Sequence, residues 1–521
     1  MKKMIALSFV ASTTLLFAST ASDLQFMKTE IANLKAEVAD LKKNDKKSKK
    51  KIKKISKKLN KVKAHDSSDN IKWSADVRTS VDSINYDMAD GSSRENSSLF
   101  STRVWLNMAY APTPNLIFKG QLAYNKAFGA SFPTADGMPQ RGYSFDSFDW
   151  ITNESLTGNE MKLRQAYWLY LGEDLFGTGI DWTASVGRRP STTGFLSNLR
   201  EDDKAQSPLG HMIDVEFDGA SSMFKLEKVT GISGMSFKIC TGVGSTNASP
   251  RLSGTDYAED ENVLDDVKLM GVIFVPYDDG QFKLKTMAFR AWDLPGMDRA
   301  NMMSAMNGES YSMSTFGDLD GAVVSLLVDG ITDDGYLADV KVFGSYAWSN
   351  TLPNHPEGML GSLEEESGTS YWVGLQAPVP SIGGKFGLEY NHGSEYWRPF
   401  TYGEDTMIGS KLAVRGDAFE AYYTKELTKG LSFSIRYTAF DYEYTGSNGF
   451  FGSAGAPMKI SDIQDGANMV AQMGGMENVM GAVEAGQMTQ AQAEGLGMAA
   501  SFAPSIVDEA QEIRAYIRYR F

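Results

Sequence analysis

The residues best placed to act on a charged species sit close together. After Val186-Gly187-Arg188-Arg189-Pro190 the chain reads Arg200-Glu201-Asp202-Asp203-Lys204. Basic and acidic groups opposed across a water-filled passage set up a transverse field, which sorts solutes by charge and polarity. The plainer expectation is that Arg188 and Arg189 pair with loop acids at a rim. Asp202 and Asp203 also suggest acid–base chemistry, but adjacent side chains on a loop point apart. No catalytic residues are assigned.

Other candidates are weaker. Asn391-His392-Gly393-Ser394 puts a histidine two residues from a serine, with no nucleophile motif around either. Asp256, Glu259, Asp260, Glu261, Asp265 and Asp266 offer hard oxygen ligands but lack a calcium-loop spacing. Met469, Met473, Met476, Met480 and Met488 lie in a stretch rich in Ala, Gly and Gln, where packing is the commoner use of thioethers. The single Cys240 excludes an intramolecular disulfide and reads as a packed thiol. Neither a cofactor nor a metal is expected.

These residues must be positioned by the elements around them. Ile71, Trp73, Ala75, Val77, Thr79 and Val81 alternate with Lys72, Asp76, Arg78 and Asp82. Phe100, Thr102, Val104, Leu106, Met108 and Tyr110 repeat the pattern. Pro112-Thr113-Pro114-Asn115 then turns the chain into Leu116, Phe118, Leu122 and Tyr124. The last nine residues, Ile513 to Phe521, alternate again and end on Tyr519 and Phe521, which read as a barrel-insertion signal. Period-two strands of this kind present one face to lipid and one to water, so residues 71–521 are expected to form an all-β transmembrane antiparallel barrel. With both of its ends on one side, the strand number must be even. Reading Glu216 to Glu227 as one strand gives 16, with 18 as the alternative. Long connections are expected at about 87–98, 127–160, 190–214, 244–265, 293–318, 349–368, 394–410 and 446–507, the last containing a short helix.

The front of the chain is different. Lys2 and Lys3, an apolar run from Met4 to Phe17 and small residues to Ser22 read as a signal peptide over 1–21. Leu24, Met27, Ile31, Leu34, Val38, Leu41, Ile52, Ile55, Leu59 and Val62 keep a 3,4 spacing, the seam of a coiled coil spanning 22–64. Residues 65–70 form a linker. The first 65 residues carry 17 Lys against 5 acids, and the rest 34 Lys and Arg against 60 acids, so the chain is about +12 in front and about −26 behind. With export, that basic segment points to peptidoglycan or anionic lipid and away from nucleic acid.

Ser98–Tyr110, Gln121–Gly129, Gln165–Gly172, Ser185–Gly210 and Gly387–Gly403 resemble an uncharacterised family of porin-like outer-membrane proteins from epsilon-class proteobacteria, classified under a domain of unknown function. The coil-before-barrel layout and Gly187-Arg188-Arg189-Pro190 more loosely resemble anion-selective porins, which line their channels with basic ladders; no such ladder is identified from the sequence. The resemblance implies a barrel but supplies no substrate; with the C-terminal insertion signal, a bacterial outer-membrane location is expected, with lipid and lipopolysaccharide as contacts and insertion by the barrel-assembly machinery. With the pattern, it leads to the expectation of a passive porin for small hydrophilic solutes or ions, homo-oligomeric with a trimer favoured and its coil in the periplasm. A structural tether gripping peptidoglycan through the coil is the alternative.

Overall fold

A computed structural model describes residues 71–129, 156, 160–245, 264–306, 309–447 and 449–521. The signal peptide, coiled-coil seam and linker lie outside the described residues, as does the acidic run up to residue 263.

Sixteen strands follow in chain order: β1 Lys72–Met88, β2 Ser93–Thr113, β3 Leu116–Ala127, β4 Lys162–Gly172, β5 Asp181–Arg189, β6 Phe217–Lys225, β7 Ser236–Ser245, β8 Val267–Asp278, β9 Phe282–Gly296, β10 Ser314–Asp329, β11 Lys341–Pro353, β12 Ser367–Pro378, β13 Lys385–Gly393, β14 Gly416–Thr428, β15 Leu431–Tyr442 and β16 Val507–Arg520. Each is bonded to its sequence neighbours, and β1 closes on β16 to complete the barrel. The expected count of 16 is met, and β6 runs unbroken through Asp218-Gly219.

Alternation sets the two faces. In β16, Ile513, Ile517 and Tyr519 are 49%, 51% and 43% exposed on the outer wall, while Glu512, Arg514 and Arg518 are 0%, 0% and 2% exposed inside. Tyr519 and Phe521 lie together outside, ring centroids 5.2 Å apart. The same phase puts Trp73 outside and Asp76, Arg78 and Asp82 inside β1.

One expected connection is much shorter than its sequence suggests. β1 and β2 meet across residues 89–92 instead of a long loop over 87–98, because the polar residues Ser93–Asn96 continue the ladder opposite Ile84–Asp87. Polarity there marks strand beyond the apolar belt, where outward side chains meet water. Strands also extend into the connection expected over 293–318 and the one over 349–368: β9 reaches Gly296, β10 begins at Ser314 and β11 reaches Pro353. The connection after β15 carries three helices, Ile460–Gln472, Met476–Glu484 and Gln490–Phe502. Val470, Val479 and Ala493 pack at their centre, with Met473, Met476 and Met488 against them, so these methionines serve packing.

A 16-strand barrel encloses a space too wide for wall side chains alone to fill. Here the connection 190–216 (L3) and the connection 394–415 (L7) fold into it. Phe195, Leu199, Leu209 and Met212 of L3 and Trp397, Phe400 and Leu412 of L7 form one core with Phe289, Phe343 and Trp372 of the wall and Phe450 and Phe451. The limbs of L3 approach closely at Gly194, where a Cβ would lie 2.5 Å from the Pro208 carbonyl oxygen. Thr193 and Leu196 hold positive φ (53° and 80°), a strained state that the surrounding packing must enforce.

Candidate lumenal site

The other side of the lumen is charged. Pairing puts Arg78 of β1 opposite Arg103 of β2 and opposite Arg518 of β16. Four residues along, Arg514 of β16 lies opposite Arg436 of β15 and Asp82 of β1. Like charges in register repel, and burial makes an unpaired charge costlier still. Such rows therefore require acids.

The acids come from the wall and from both loops. Arg518 donates from Nε to Asp76 at 2.9 Å, and Arg514 pairs with Asp82 and, at 2.9 Å, with Glu512. Asp405 of L7 reaches between three strands, accepting from Arg78 Nη2 at 2.8 Å and Arg514 Nη1 at 3.0 Å and lying 3.5 Å from Arg103 Nη1. From L3, Glu201 accepts from Arg518 Nη1 at 3.0 Å and from the Tyr516 hydroxyl, and Asp203 accepts from Arg518 at 2.9 Å. The loops also grip each other and the wall. Arg200 of L3 donates to Glu404 of L7 at 3.3 Å and to Glu420 of β14 at 3.0 Å, and Lys411 of L7 donates to Glu389 and Glu420 at 2.7 Å each.

Beside this network lies a polar cavity of about 170 Å³, bounded in part by Asn107, Gln121, Arg164, Thr192, Lys204 and Arg518. At its edge the Trp105 ring sits between the guanidiniums of Arg103 and Arg164, 3.6 and 4.2 Å from its centre. Such stacking helps fix both cations, and Arg164 is also paired with Glu216 at 3.0 Å.

The seven expected channel residues divide. Arg200, Glu201 and Asp203 enter the network and Lys204 lines the cavity. Asp202 turns away to Lys385, 2.8 Å off. Arg188 pairs across the strands with Asp218 at 3.2 Å, and Arg189 bonds Ser185 and lies 5.0 Å from the Tyr167 ring. Sequence reasoning missed Glu404, Asp405 and Lys411, and it missed the arginine rows. The available signal was barrel closure, which makes the first and last strands neighbours and brings Arg78 beside Arg514 and Arg518. On the outer wall, His392 pairs with Asp417 at 2.8 Å, whereas Asn391 faces inward and donates to the Lys411 carbonyl; the Ser394 hydroxyl accepts from the Thr369 N–H.

The loop acids make the lumen sensitive to acid. Burial opposes ionisation of Glu201, but Arg518, Arg78 and Arg200 outweigh it and hold its carboxyl down at about 2. Asp405 is buried too, and Arg78 and Arg514 hold it well below the usual carboxylate range. Lowered carboxylates contribute stability that is fully present above their ordinary pKa and is lost as pH falls through the lowered one. Burial keeps Asp203 above its ordinary value despite Arg518, which offsets part of that loss. Between about pH 4.5 and 2, then, L3 and L7 are expected to loosen, measured as rising pepsin cleavage within 190–216 and 394–415. Equal protection at both ends of that range would contradict it.

Comparison with solved structures finds low-identity likenesses. An anion-selective porin from Comamonas acidovorans is 11% identical, with 87% of this chain and 99% of that one covered and a TM-score of 0.43. Pseudomonas putida OprB gives 11%, 87%, 94% and 0.43, and Salmonella typhi OmpF gives 11%, 86%, 97% and 0.39. The search of curated proteins returns no match. A family model described as "Protein of unknown function (DUF3373)" matches residues 93–486. Because that match takes in most of the strands, L3 and L7, the chain belongs to the DUF3373 family.

Proposed function

We propose that this protein is an outer-membrane porin through which small hydrophilic solutes or ions diffuse, along a path narrowed by L3 and L7. The carrying observation is the polar cavity beside the arginine rows, inside a closed barrel whose outer wall is apolar. An apolar exterior around a polar interior suits strands that cross a bilayer, where every backbone group must be bonded within the barrel. Lys204 and the Arg518–Asp76 and Arg518–Asp203 ion pairs line this cavity, together with Arg164, which is paired with Glu216. Their field favours small polar solutes and ions over apolar ones. Of the basic residues lining it, Lys204 is the informative one: it forms no ion pair among the described residues, whereas Arg164 is paired with Glu216 and Arg518 with Asp76.

Self-association through residues 24–62, with a trimer favoured, belongs to the same proposal, as do a periplasmic coil and contacts with lipopolysaccharide. The experiment is reconstitution of the full chain in planar bilayers. Discrete, reproducible conductance steps are expected; a silent protein that is folded and inserted would overturn the proposal.

A further inference from the structure

A second cavity lies elsewhere in the lumen, between L3 and the inner faces of β6 to β9. It measures about 80 Å³, and its walls are almost wholly apolar, with Ile213, Phe217, Ile273, Met287 and Phe289 among them. Two cations also line it, Arg189 and Lys238. Lys238 is 9% exposed and donates to the Ser207 hydroxyl at 2.5 Å, while Arg189 donates to Ser185. Neither forms an ion pair among the described residues. Most buried cations of this lumen meet carboxylates, and Arg398 and Arg415 are held by carbonyls and a hydroxyl; buried Lys238 and half-buried Arg189 meet hydroxyls and an apolar cavity. Two like charges sharing such surroundings without a counter-charge are costly.

From this we infer that the cavity is a binding site for a short-chain aliphatic carboxylate. The carboxylate sits between Lys238 and Arg189, and the tail lies among Ile213, Ile273, Met287 and Phe289. A monoanion supplies the missing charge, and its apolar remainder matches the walls. Chloride or phosphate would leave those walls uncovered, and a phosphate would strand oxygens where few donors exist. Size limits the ligand: at about 10–15 Å³ of cavity space per water-sized group, the cavity takes about six heavy atoms, as many as butyrate has. Binding here stands apart from conduction, since it is read on the folded protein whether or not current flows.

Butyrate is the probe, with butyramide, its neutral counterpart, and chloride as controls, on the full chain folded in detergent micelles. Radiolabelled butyrate should bind saturably, be displaced by unlabelled butyrate and resist equal concentrations of butyramide or chloride. Lys238→Met, checked for an intact barrel by circular dichroism, should weaken binding about tenfold to a hundredfold, as expected for loss of one charged hydrogen bond. Absence of saturable binding, equal competition by butyramide, or undiminished binding in Lys238→Met would each overturn the assignment. Equal competition by chloride would reduce it to a simple anion site and overturn the ligand class.

The unaltered protein gives a second reading. Cys240, the chain's one cysteine, lines the same cavity. Butyrate should slow its reaction with methyl methanethiolsulfonate, and butyramide should not. Equal rates with and without butyrate would count against the site.

Discussion

Replacing Asp405 by alanine is expected to free L7 from the barrel wall. Asp405 is the shared partner of Arg78, Arg103 and Arg514, so its loss leaves three buried guanidiniums facing one another with one acid fewer. Removing one member of a buried charge pair costs about 3–5 kcal/mol, a penalty that falls on the closed position of the loop and not on the strand ladders. The population of opened L7 should rise at least about a hundredfold. Chymotrypsin cleavage between residues 394 and 415 is the direct readout under conditions where reclosing outpaces cutting. Larger, noisier current steps should accompany it. Asp405→Asn keeps the volume and part of the hydrogen bonding, and should give a smaller effect in the same direction. Cleavage no faster than in the unaltered protein would mean that the arginine rows do not hold L7.

Trp397→Ala should loosen the opposite side of the lumen. Trp397 is fully buried, its indole N–H donates to the Leu412 carbonyl at 2.7 Å, and its ring lies 5.7 Å from the His211 ring. His211 belongs to L3 and is bonded to Ser345 and Ser370 of the wall at 2.8 and 2.9 Å. One tryptophan thus joins L7 to L3 and, through His211, to β11 and β12. Truncating a buried aromatic of this size costs about 3–5 kcal/mol, part of it the cavity left behind. Hydrogen exchange should lose protection in L3 and L7 while the wall strands, bonded to their neighbours, keep theirs. If protection were lost evenly around the barrel, the loops and the wall would be one cooperative unit instead of two.

Much of the wall could be read from the chain. Trp73 and Asp76 already announce opposite faces, and the rule of even strand number favours reading Glu216 to Glu227 as one strand. The period of two carries this information locally, residue by residue. The lumen could not be read in the same way. Arg200, Glu201 and Asp203 stood out because they adjoin one another in sequence, whereas Asp405 has no basic neighbour nearby to give it away. Its partners Arg78, Arg103 and Arg514 come from both ends of the chain and meet only when the barrel closes. Register, which no single strand encodes, decides that meeting. Arg188 and Arg189 illustrate the converse. Adjacent in sequence, they serve different surroundings: one is matched by Asp218 across the ladder, and the other is turned toward an apolar cavity.

The idea that solutes pass beside the arginine rows is tested most directly by ion preference in planar bilayers under a salt gradient, comparing the unaltered protein with Lys204→Glu. Lys204 lines the polar cavity without an ion pair among the described residues, so reversing its charge should shift the reversal potential toward cations while leaving the barrel intact. A shift of that sign, with conductance steps preserved, is the expected result. An unchanged reversal potential would place the path elsewhere, and silence from the unaltered protein, Lys204→Glu and Asp405→Ala alike would contradict a conducting lumen.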